Sequence, residues 1–193
     1  MSILNSILKS LGESQLEKLG TKLWLSPAQT KQATDLLLPL LLGAINKNTQ
    51  TKEWATSLYD TLDRHINPIE DVEDIDENDW FKILWHLFGN KLEKIEEKAS
   101  KEIGLETNQV NSLLKNLAPI LLGKLGEQKS SKWAGLEDLI GMIGWATNQA
   151  KEENGTLGNL LGAFLDKDGD GDYKDDLLQK GADMLMDQFR NKW

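Results

Sequence analysis

Apolar residues recur along the chain at intervals of three and four, and no strand-length stretch alternates apolar and polar positions with valine, isoleucine or tyrosine enrichment. The pattern predicts an all-α, multihelical fold. Ser26-Pro27-Ala28-Gln29 sets a capping serine before a proline at the first helical position, with a glutamine three residues after the cap, which marks a helix start. Leu37, Leu40, Leu41 and Ile45 then share one face, and Asn46 to Gln50 form a polar end. Another helix reads from Lys52 to His65, with Trp54, Leu58, Leu62 and Ile66 spaced four apart. The acidic stretch "NPIEDVEDIDEND" follows as a surface connection, and its Asn78-Asp79 offers caps for the next helix.

Sliding the chain by 80 positions matches it to itself without a gap: Ile3-Leu4 falls on Ile83-Leu84, Leu25 on Leu105, Gln29 on Gln109, and Leu37 on Leu117. Pro39 falls on Pro119, and Leu41-Leu42-Gly43 on Leu121-Leu122-Gly123. Two tandem copies of one helical unit are implied, residues 1–66 and 80–149, joined by the acidic connection 67–79 and followed by a helix pair at 156–193. Each matched proline removes a backbone hydrogen bond inside an apolar helix, so both helices are expected to kink, and Gly43 and Gly123 to let another backbone approach closely.

The chemistry-bearing stretch is "LDKDGDGDYKDD", residues 165–176. Calcium takes roughly six to eight oxygens, and an EF-hand loop of about 12 residues supplies them from alternate positions around a turning glycine. Asp166, Asp168 and Asp170 fill the first, third and fifth places, Gly171 the turn, and Asp172 offers its carbonyl at the seventh. Leu177 stands where a bidentate glutamate belongs, so the loop is read as closing one residue early on Asp176. Leu157, Leu160, Leu161, Phe164 and Leu165 before the loop, and Leu178, Ala182, Leu185 and Phe189 after it, carry helical stripes, making an EF-hand-like helix-loop-helix. Six aspartates within eleven residues repel one another unless a cation sits among them. One calcium ion is the expected cofactor, bound weakly, as a structural clip or a modulator of protein-protein association. An acidic Asp-Gly turn without metal is the plainer alternative.

Composition narrows the partners. A net charge of -9 repels nucleic-acid phosphates and anionic membrane surfaces. The longest apolar run, Leu36 to Ile45, falls short of the roughly 20 residues a spanning helix needs, and reads as core. With no cysteine there is no disulfide or thiolate chemistry, and with no signal peptide read at "MSILNSILKSLG" a cytoplasmic location is expected. His65, near a helix end, and His86, expected at a core boundary, are not arranged as in the zinc helix signature, and no serine elbow or phosphate-cradling glycine loop occurs, so the chain is expected not to be an enzyme. Seven tryptophans, and "WAGLEDLIGMIGWA" from Trp133 to Ala146, leave a membrane-interacting protein as one alternative. A hydrolase with an unrecognised site is another.

The segments "LLLPLLLGAINKN", "LDRH", "LAPILLGKLG" and "LGNLLGAFLDKDGDGDYKDDLLQKG" resemble the YidB-like bacterial proteins of unknown function, family number 937. The resemblance implies a small multihelical protein with internal duplication, and supplies no activity. This chain departs from that family's glycine- and alanine-rich connections in its many lysines, asparagines and tryptophans.

Overall fold

A computed structural model of the protein describes residues 3–63, 75, 77–132 and 135–165. Among them the chain forms α1 (Ile3–Lys22), α2 (Pro27–Asn48), α3 (Lys52–Leu62), α4 (Glu77–Phe88), a 3-10 turn (Gly89–Lys91), α5 (Leu92–Ile103), α6 (Thr107–Lys132), α7 (Leu136–Glu153) and α8 (Gly155–Leu165). No strand is present among the described residues. α1 is broken at Gly12, whose φ of 57° and ψ of 163° are not helical.

Ser26 starts α2 as the sequence predicts. Its Oγ accepts the Gln29 N–H at 3.3 Å, and Gln29 Oε1 accepts the Ser26 N–H at 3.0 Å, so two donors without helical partners are satisfied by each other's residues. From Leu36 to Ile45 every residue of α2 is buried. A helix apolar on all sides cannot lie on a surface, and α2 is accordingly packed by α1, α4, α5, α6, α7 and α8. Its main neighbour, α6, buries Val110, Leu113, Leu114, Leu117, Ala118, Leu121, Leu122 and Leu125. Both helices continue through their buried prolines, Pro39 and Pro119.

Polar groups that enter this core are mostly satisfied, Gln149 Oε1 of α7 being buried without a hydrogen-bond partner. Asn116 of α6 has 0% exposure, and its Nδ2 donates to Glu77 Oε1 at 2.9 Å and to the Ser112 carbonyl at 2.7 Å. Its Oδ1 accepts from Lys22 Nζ at 3.1 Å, and Ser112 Oγ donates to Glu77 Oε2 at 3.1 Å. Lys22 and Glu77 also stand 3.6 Å apart. The network joins α1, α4 and α6. Asn78 and Asp79 differ from the sequence reading, lying inside α4 rather than capping it.

The turns after α1 and α5 share a backbone form. Leu25 N–H bonds to the Gly20 carbonyl at 2.8 Å and Trp24 N–H to Thr21 at 3.3 Å; Leu105 N–H bonds to Ser100 at 3.1 Å. Each turn holds a left-handed residue, Gly104 directly after α5 at φ 74° and Trp24 two residues beyond α1 at φ 58°. Glycine is the ordinary occupant of that position because a Cβ is crowded by the carbonyl there. Trp24 is strained, and with 92% exposure it recovers nothing from packing. Trp24→Gly is expected to stabilise the protein by about 0.5–1 kcal/mol, seen as a higher urea midpoint at unchanged slope.

Glu96 of α5 is only 5% exposed and accepts a hydrogen bond from Asn111 Nδ2. Burial pushes its carboxyl above the ordinary 4.5, against the bond from Asn111 and the charge of Lys115, while nearby Glu93 adds to the rise. A raised folded value means the folded state holds this proton more tightly than the unfolded chain. The resulting stability is complete below about pH 4.5 and is lost as pH rises through the folded value. Glu96→Gln keeps an acceptor for Asn111 and removes the charge. Its stability relative to the wild type is expected to climb as pH rises above 4.5 and to be flat below it, measured by urea unfolding across pH.

Candidate functional site

The described chain ends on α8, from which the aspartate-rich segment departs, and the residues holding that helix define the site. Asn154 Oδ1 accepts the Leu157 N–H at 3.2 Å at its start. Leu157, Leu160, Leu161 and Phe164, four of the five residues of the stripe read from the sequence, are buried, and α8 rests on α2, α5 and α7. Gly43 makes the approach possible. A Cβ at that position would stand 2.5 Å from Leu161 Cδ2, so a side chain there would push the leucine out. What approaches Gly43 is thus a leucine side chain rather than the backbone the sequence led one to expect.

The far end of α8 is held by two cations. Lys47 Nζ, from the last turn of α2, donates to the Phe164 carbonyl at 2.8 Å and lies 4.0 Å from the centre of the Phe164 ring. Lys91 Nζ, from the 3-10 turn, donates to the same carbonyl at 3.3 Å. The Phe164 ring meets Phe88 edge to face, with centroids 5.3 Å apart and planes at 69°. Asn48 Nδ2 adds a bond to the Leu87 carbonyl at 2.9 Å, tying the end of α2 to the end of α4. A helix C-terminus carries partial negative charge, and ammonium groups there are favourable. The positive charge is concentrated one residue before an acidic run of sequence begins.

Asp166, Asp168, Asp170, Asp172 and Asp176, the expected calcium ligands, lie outside the described residues, as do His65, residues 67–74 and the helix expected after the loop. Among the described residues no group of three or more histidines, cysteines, aspartates or glutamates is placed to hold a metal. His86 is exposed on α4 rather than set at the edge of the core. It lies on the rim of a groove of about 280 Å³ between α3 and α4, lined by Trp54, Ser57, Leu58, Thr61, Ile83, Leu87 and Leu122. A larger hollow of about 470 Å³ by the start of α2 is bordered by Lys31, Asp35, Glu102 and Asn154, and its Lys31–Asp35 pair at 2.7 Å is exposed. Lys47 and Lys91 are the functional candidates that sequence reasoning missed. Each meets Phe164 across a long separation, 117 and 73 residues, and the only local signal was a lysine in the last turn of a helix.

The sequence profile of a bacterial protein family of unknown function, DUF937, matches residues 5–128. The chain belongs to this family. The DUF937 match takes in α1 to α5 and most of α6, and leaves α7, α8 and the aspartate-rich segment outside it. Lys47 and Lys91 therefore stand within the DUF937 region and hold a helix that lies beyond it. No curated protein and no solved structure matches the chain.

Lys47→Met removes a charge-assisted bond and a cation over a ring, and is expected to cost about 1.5–3 kcal/mol. Hydrogen exchange should quicken first in α8, before α2 or α6, because the lost contacts hold that helix's end.

Proposed function

We propose that this DUF937 protein is a non-catalytic, cytoplasmic helical protein that binds one calcium ion through Asp166, Asp168, Asp170, Asp172 and Asp176 and acts by contacting another protein or itself. The observation that carries this reading is the fixed end of α8. The Phe164 carbonyl is gripped by Lys47 and Lys91, so the segment bearing the aspartates starts from a stationary point. A ligand loop with one end immobilised loses less freedom on closing around an ion than a free one. The same two ammonium groups oppose a cation, which fits an affinity toward the micromolar-to-millimolar part of the range for such loops. With one such loop in the chain, the ion serves best as a clip that orders the segment after α8.

The proposal includes a duplicated helical unit. In its support, α2 and α6 begin 80 residues apart, each contains a proline twelve residues after its first, and each follows a left-handed turn residue, Trp24 or Gly104. Gln29 and Gln109 also accept from the backbone three residues back, at Ser26 and Glu106.

A second reading, contact with a membrane surface, draws on the exposure of Trp24, Trp85, Trp145 and Phe81. None of the described helices is long and apolar enough to cross a membrane.

Calorimetric titration of chelated protein with calcium and magnesium tests the calcium reading. One calcium site is expected, lost in Asp168→Ala. No heat of binding, together with a melting temperature unmoved by EDTA, would overturn it. Flotation with neutral and anionic liposomes decides the membrane reading, and absence of binding to both removes it.

A further inference from the structure

We propose that the groove between α3 and α4 is the seat of the chain's own C-terminal segment, with Leu178, Ala182, Leu185 and Phe189 as the stripe that faces it. The groove has apolar walls, Trp54 and Leu58 on α3 and Ile83 and Leu87 on α4, over a floor of Leu122 from α6. Ser57, Thr61 and His86 stand at its rim. An apolar trough with a polar rim between two helices takes an amphipathic helix, whose anchors recur at three- and four-residue steps. Residues 178, 182, 185 and 189 have that spacing.

Where the described chain ends favours this occupant over others. Phe164 packs on Phe88, the last residue of α4, and Phe88 directly follows Leu87 of the groove wall. The chain therefore leaves the body beside one end of the groove. After Leu165 come 28 residues, and the twelve from 166 to 177 can span up to roughly 40 Å when extended, so reach is not limiting. A tethered segment is also present at an effective concentration on the order of millimolar, which a second copy does not match in dilute solution. The seat requires no ion in the aspartate loop and is independent of the calcium reading.

The chain has no cysteine, so introduced thiols are unique. Full-length protein carrying Ser57→Cys at the exposed rim and Gln188→Cys beside Phe189 is oxidised at low concentration in EDTA. A disulfide-linked monomer is expected as the main product, with a rate that falls about tenfold when Phe189→Asp is added. Thr61→Cys in place of Ser57→Cys repeats the test from the other part of the rim. A disulfide-linked dimer as the main product would give the groove to a second copy and overturn the proposal. So would a monomer that stays reduced in both pairs, or cross-linking indifferent to Phe189→Asp.

Discussion

The burial of α2 on all sides, with α6 as its main partner, is the constraint on which the rest depends. Ten successive residues from Leu36 to Ile45 leave no face for water, so the chain must supply walls around them, and it does so with α1, α4, α5, α7 and α8. Polar groups enter in closed sets such as Lys22, Glu77, Ser112 and Asn116, where donors and acceptors answer one another. Glu96 keeps a buried carboxyl against the cost of burial.

Two helix ends are held in the same manner. Lys129 of α6 donates to the Tyr59 carbonyl at 2.7 Å and to Asp63 Oδ1 at 2.6 Å, and lies 3.5 Å from the centre of the Tyr59 ring. Lys47 does the equivalent for α8 with the Phe164 carbonyl and ring. In both cases a cation meets the negative end of a helix and the face of an aromatic on that helix. Both ends also precede acidic stretches of sequence, residues 67–79 and 166–176.

What the sequence made legible was local and periodic. The capping pair Ser26 and Gln29, the buried run from Leu36 to Ile45 and the stripe on α8 each depend on neighbours within a turn or two, and each is found as read. Long-range features were not legible. Nothing near Lys47 or Lys91 points to Phe164, and nothing near Glu77 points to Asn116. The left-handed Trp24 runs against local preference altogether, since that backbone form ordinarily selects glycine. The aspartate run lies outside the described residues, and what the fold does place is the lysine-held end of the helix before it.

The notch at Gly43 sets more than a packing distance. By letting Leu161 sink against α2 it sets the line along which α8 runs and so the place where that helix ends. A bulkier residue at position 43 would lever the whole helix outward, moving its end without altering a single residue of α8.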